Sequence, residues 1–382
     1  MKFAFRNFLA LALLAISVCF VAALSGCGSS SAPPVKAAVT PAKNMYVIQN
    51  TYVNNVENDS VLTFATNSNG ASTPSSTLTL PSNYYAYSIA VGPTGKIYVG
   101  AEYEDDPSEI MVFAPGASGA ATPVTIYTGG TPGSFDYADF MAVNSLGQLF
   151  IMSDDESIEV FGADATGGDL PSQYITTYVT NDDFSYGIGA DSVGDIYLIS
   201  DRNDEIDVIA SGATGNASFM HTITGTTTSS FTGLGGITAD DAGDVIVANY
   251  NEADDPYQEV SQAPSHRGPH LRHDLQSHFH HTAAKAHHAN SLPSAPTAIF
   301  VFASGSTGAV APTSTITGSS TTVNEPEDLA TDALNNIYYS DNEGGSPTLM
   351  MFAAGATGNV APTSSMTSTA YTSSWEFELT AY

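Results

Sequence analysis

Five times along the chain the same order of apolar and polar positions returns. It reads IAVGPTGKIYV at residues 89–99, MAVNSLGQLFI at 141–151, IGADSVGDIYL at 188–198, ITADDAGDVIV at 237–247 and LATDALNNIYY at 329–339. A short apolar strand, a tight polar turn and a second strand of β-branched and aromatic residues predict a β-hairpin in each. Gly95, Gly147, Gly194 and Gly243 occupy the turn position that calls for positive φ, and Asn335, the next most tolerant residue type, replaces them in the last copy.

A second pattern follows each hairpin. It begins VLTFATNSNGASTP at Val61, IMVFAPGASGAATP at Ile110, IEVFGADATGGDLP at Ile158, IDVIASGATGNASF at Ile206, IFVFASGSTGAVAP at Ile299 and LMMFAAGATGNVAP at Leu349. Hairpin and second pattern together predict four antiparallel strands per unit, which is the blade of a β-propeller. The starts lie 49, 48, 48, 93 and 50 residues apart. Because 93 is close to two periods, the spacing predicts a further blade hidden in that interval.

The two ends carry complementary parts of one unit. NMYVIQNTYV from Asn44 matches the second strand of the hairpin, and SSWEFELTAY at the C-terminus matches the first. Pairing them would close the ring and leave no open sheet edge. The expectation is an all-β propeller over residues 44–382 with seven blades, one of them split between the termini. Six blades with an inserted loop is the alternative.

Composition agrees with this class: 33 Gly and 20 Pro beside few helix formers. The succession IAVD, GNIYVAD and VFAPGATG to which these units approximate resembles the NHL and streptogramin-lyase-like propellers, over most of residues 44–382. The resemblance implies architecture far more than activity, because such scaffolds host enzymes, ligand binders and scaffolding proteins alike. Lyases and lactonases of this kind place histidines, or metal-binding acidic and amide residues, near the central channel. No such set can be matched here residue by residue.

Residues 1–24 combine a basic start with an apolar run, as a secretory signal does. The junction LSGC, ending at Cys27, resembles the lipobox of bacterial lipoproteins, which implies removal of residues 1–26 and lipid attachment at Cys27. Residues 27–43, rich in Ser, Pro and Ala, then read as a flexible tether. With Gly28 and Ser29 after the cysteine, the resemblance implies the outer membrane in a Gram-negative host. Cys19 and Cys27 are the only cysteines, so a disulfide framework is excluded and stability must come from buried apolar area.

Charge narrows the partners. Thirty-nine acidic against nine basic residues give a net charge of −30, which excludes nucleic acid as a reasonable partner and leaves a cation, a basic envelope protein or a glycan. The acid concentrates in the segments expected to join the second to the third strand and one blade to the next, and these share one face. Asp105, Asp106, Asp154, Asp155, Asp254 and Asp255 are the candidate ligands for calcium, whose six to eight oxygen ligands adjacent loop carboxylates can supply. No EF-hand or nonapeptide calcium motif accompanies them, and a solvated acidic rim is the plainer alternative. Tyr84, Tyr85, Tyr87, Tyr137, Phe140, Phe184 and Tyr186 fall near the same face, either to stack on a ligand or to pack between blades.

One tract breaks the pattern. Residues 260–288 hold eight of the nine histidines and no strand periodicity. They suit zinc, copper or nickel in chemistry but match no defined spacing. A disordered insertion is one alternative, and a blade translated out of frame is the reading preferred, since the repeat resumes in phase afterwards. His221, alone outside leader and tract, falls in an outer strand, and no cysteine is available as a nucleophile. The sequence therefore predicts a monomeric, non-enzymatic binding or scaffolding propeller anchored in the cell envelope. The alternative is a lyase- or lactonase-like enzyme.

Overall fold

A computed structural model describes residues 42–53, 56–103, 108–128, 138–153, 157–177, 185–200, 204–226, 231, 233–250, 297–341, 348–368 and 379–381. These residues form six blades. Blade 1 runs from the inside outward through Leu379–Ala381, Asn44–Gln49, Ser60–Ala65 and Ser76–Thr79. Blade 2 is Tyr84–Val91, Ile97–Tyr103, Glu109–Phe113 and Thr125–Tyr127, and blade 3 is Phe140–Val143, Leu149–Met152, Ile158–Phe161 and Gln173–Thr177. Blade 4 is Ser185–Ala190, Ile196–Ser200, Glu205–Ile209 and His221–Thr224. Blade 5 is Leu234–Ala239, Val245–Asn249, Ala298–Phe302 and Ser314–Ile316. Blade 6 is Pro326–Thr331, Ile337–Asp341, Thr348–Phe352 and Ser364–Thr367.

The expectation of seven blades is therefore corrected to six. Val245 to Asn249 pair directly with Phe302 to Ala298, so the interval between them is a connection from second to third strand within one blade. Residues 251–296, including the histidine tract, lie outside the described residues. The out-of-frame reading of that tract loses its premise, because the ring already closes. The inner strand of blade 5 packs on that of blade 6, and blade 6 packs on the C-terminal strand. A Cβ at Gly236 would lie 2.7 Å from the Asp328 Cα and the Leu329 nitrogen, a backbone approach that leaves no gap for another sheet.

Closure uses the termini as expected. Met45, Tyr46 and Val47 pair antiparallel with Ala381, Thr380 and Leu379. The core consists of six apolar clusters, one between each neighbouring pair of blades, including Met45, Val47, Leu62 and Phe64 of blade 1 against Tyr338, Leu349 and Met366 of blade 6. This explains the strand text. Both faces of every sheet are covered, so in IYVGA the residues Ile97 and Val99 face blade 1 while Tyr98 faces blade 3.

The repeat signatures are structural devices. In the hairpin turns Gly95, Gly147, Gly194 and Gly243 have φ of 80°, 79°, 90° and 81°, and Asn335 has 61°. In blades 4, 5 and 6 a buried acid precedes the turn and holds it: Asp191 Oδ1 accepts from the nitrogens of Val193, Gly194 and Asp195 at 2.9–3.0 Å. Asp240 and Asp332 do the same in blades 5 and 6.

The glycines of the second pattern have another task. At five of the six blade junctions the chain segment after the third strand reaches back and forms a short parallel bridge to the outer strand of the preceding blade: Leu78 with Gly119, Ile175 with Gly215, Ile223 with Gly308, Ile316 with Gly358, and Met366 with Gly70. Between blades 2 and 3, Gly167 abuts the Ile126 carbonyl too closely for any side chain. These latches cover part of the outer edges, which would otherwise offer unpaired backbone to another chain.

Candidate binding face

The two ends of the ring differ in what their loops contain. The turn face carries the hairpin turns and the latches. The loop face carries the connections between second and third strands and between blades.

On the loop face, four inner strands carry an extra residue at one repeat position. The register shifts after Ala86, Ser185, Leu234 and Pro326, each opposite a regular second strand. Such bulges bend a strand and re-aim its side chains at a rim. In blade 2 the bulged residue is Tyr87, and in blade 6 the irregularity spans Glu327 and Asp328.

Blade 2 also carries an extended first hairpin. Its first hairpin continues through the pairs Tyr85 with Glu102 and Tyr84 with Tyr103, beyond the level at which the second strands of blades 4, 5 and 6 end. Two further residues add about 7 Å of strand. The extension is aromatic. Tyr84 and Tyr103 lie 5.2 Å apart between ring centroids, tilted, and Tyr85 meets Tyr87 edge-on at 4.9 Å. The Tyr84 hydroxyl donates to Glu109 Oε2 at 3.2 Å, and Tyr103 is exposed.

Beside this hairpin, blade 1 contributes a carboxylate pair that no sequence motif announced. Asp59 is fully buried; its oxygens accept from the Thr51 nitrogen, the Asn50 side-chain amide and the Ala86 nitrogen at 2.8–2.9 Å, tying blade 1 to blade 2. Glu57 closes a small hairpin, Tyr52–Val53 with Val56–Glu57. Burial, together with the negative Asp59 nearby, raises its carboxyl to about 7. The single signal available beforehand was acid placed immediately before the third strand of blade 1, at Glu57 and Asp59.

The acids expected at the rim separate into three groups. Asp341 is buried and accepts from the nitrogens of Asn324 and Glu325 at 2.7 and 3.1 Å, so it folds the connection between blades 5 and 6. Asp139, Asp204, Glu205, Glu325, Glu327 and Asp328 lie at the loop-face ends of their strands. The calcium candidates Asp105, Asp106, Asp154, Asp155, Asp254 and Asp255 lie outside the described residues, as do Cys27, Tyr137 and Phe184. Among the described residues no cluster of acidic, histidine or cysteine side chains could hold a metal ion. Phe140 packs into the cluster between blades 3 and 4, so it takes the packing role. His221 is half-buried in the outer strand of blade 4 and pairs with Val208 in the register.

No family model matches the chain, and no curated protein matches it. Among solved structures, it is similar to a protein of unknown function from Bacteroides caccae at 9% identity, over 90% of this chain and 99% of that one, with a TM-score of 0.52. It is also similar to U3-55K and to the WD40 repeats of RRP9, each at 10% identity over 73% of this chain with a TM-score of 0.42. The chain spans 66% and 65% of the length of those two. At such identities the likeness to the Bacteroides protein speaks for the fold alone, and the fold is a β-propeller.

Proposed function

We propose that the protein is a non-enzymatic binding or scaffolding propeller of the NHL-like type, held in the bacterial cell envelope through lipid on Cys27. Its ligand site is the loop face of blades 1 and 2. The observation that supports this reading is the extended first hairpin of blade 2, where Tyr84, Tyr85, Glu102 and Tyr103 form two pairs beyond the level at which the second strands of blades 4, 5 and 6 end. Aromatic rings interleaved with carboxylates suit two partner chemistries. Sugars stack on the ring faces, and basic peptide segments meet both the acid and the rings. With the net charge of −30, a basic envelope protein is the partner favoured, by steering and by contact. Calcium bound by the acidic connections would then compete with that partner.

Capture from detergent-solubilised envelopes, followed by the same capture with Tyr103→Ala and Tyr85→Ala, tests the proposal. It requires a basic protein retained by the parent and lost, by about tenfold, with the variants and with added salt. Retention unaffected by both substitutions would move the site elsewhere, and a glycan-array signal sensitive to them would replace the protein partner with a sugar.

A further inference from the structure

The turn face has an unexpected surface. The hairpin turns need a small or positive-φ residue at their glycine position, but the residue just before it is free of that demand and points outward. Three blades place a large apolar side chain there: Leu146 in blade 3, Val193 in blade 4 and Leu334 in blade 6, exposed to 55%, 65% and 42%. Blades 3 and 4 add Leu170 and Met220 from the latch segments on the same face, also exposed. No turn geometry calls for these residues, and exposed apolar side chains grouped on one face mark a contact surface.

The polypeptide also enters the ring on this face. The Ala42 nitrogen donates to Asp332 Oδ2 at 2.9 Å, and Asp332 is the residue that holds the turn bearing Leu334. Residue 42 is thus fixed beside one of the apolar apexes. Only the fourteen residues 28–41 separate it from Cys27. Fully extended, they span about 50 Å at most. A ring of four-stranded blades has a radius of about 20 Å, and strands of five to eight residues make it about 20 Å deep. Reaching a surface under the loop face would consume nearly all of that length, whereas reaching one under the turn face consumes almost none.

We infer that the turn face lies against a lipid bilayer, with Leu146, Val193 and Leu334 entering the headgroup region and the loop face directed away from the membrane. The inference rests on the anchoring at Cys27 proposed above. It gives that anchor a second, apolar point of contact, and weak paired contacts hold a protein to a membrane far better than one. It also presents the acidic connections to the aqueous side, where a basic partner can reach them.

The test uses tryptophan reporters and vesicles of phosphatidylcholine with brominated acyl chains. The chain has a single tryptophan, so a Trp375→Phe background leaves one reporter in each of Leu146→Trp, Val193→Trp, Leu334→Trp and Tyr103→Trp. Unchanged β circular dichroism and melting admit each variant. The lipidated protein in these vesicles should show at least twofold stronger quenching at the three turn positions than at Tyr103→Trp. Equal quenching, or stronger quenching at Tyr103→Trp, overturns the orientation. The mass of the Cys27 peptide from native membranes reads the anchor separately. If that cysteine is unmodified, the anchoring proposal fails. The orientation is then read on the same variants with Cys19→Ser, coupled through the Cys27 thiol to a maleimide lipid, with the same two outcomes.

Discussion

The turn face and the loop face are made from one repeat but obey different constraints. On the turn face nearly every recurring polar residue is committed to backbone: Asp191, Asp240 and Asp332 hold the hairpin turns, and the glycines of the second pattern latch five of the blades to the one before. On the loop face the repeat lapses. Blade 1 grows a small hairpin ending in Glu57, blade 2 extends by two residue pairs, and blade 5 accommodates residues 251–296. What recurs in this sequence therefore encodes the ring, and what fails to recur is where a ligand can be chosen. Strong repeat text is consequently poor evidence about function.

Changes that touch the recurring devices should be the most damaging. Gly236→Val drives a side chain into the backbone of Asp328 and Leu329, and should cost about 4 kcal/mol in chemical denaturation. A loss under about 1 kcal/mol would mean that the inner strands of blades 5 and 6 are not in this contact. Asp332→Ala removes the acceptor for Ala42, Leu334, Asn336 and the Tyr338 hydroxyl together. It should cost about 3 kcal/mol, with Asp332→Asn recovering part of it.

Glu57 gives an intermediate effect with a definite sign. Its carboxyl is raised in the folded protein to about 7 from 4.5, by burial first and by Asp59 second. The folded state thus binds the proton more tightly than the unfolded chain, and stability falls as pH rises between those two values. Glu57→Gln should be more stable than the parent at pH 8, by on the order of 2 kcal/mol, and indistinguishable from it near pH 4. A parent whose melting temperature is flat across that window, or a variant less stable at pH 8, would contradict the placement.

Smaller still are the effects expected on the loop-face surface. Tyr103→Ala should change stability by no more than about 0.5 kcal/mol while it weakens partner capture. Calcium should raise the melting temperature only if the acidic connections bind it, because a ligand of the native state stabilises by mass action. No shift at millimolar calcium would leave them as a solvated rim.

Much of the fold could be read from the residues, and the reason is local. Turn glycines, the alternation within IYVGA and the complementary termini are each written within about ten residues. The number of blades is a non-local property, set where Gly236 meets Asp328 and where Val245–Asn249 find Ala298–Phe302 across a long connection. Periodicity alone could not distinguish 93 residues made of two units from 93 made of one unit and an insertion. The proposed binding face was legible only as a class. Acid and tyrosine were visible in the connections of one face, but the burial of Asp341, the Glu57–Asp59 pair and the extended hairpin of blade 2 arise from packing between blades.

The central claim is a ring of six blades that closes without residues 251–296. Replacing them by a short glycine-serine linker between Tyr250 and Thr297 tests it directly. The six-bladed account predicts an unchanged β circular dichroism signal per molecule and a single cooperative melt within a few degrees of the parent. Loss of cooperative unfolding, with the strand signal falling by a blade's share, would show that the interval supplies a seventh.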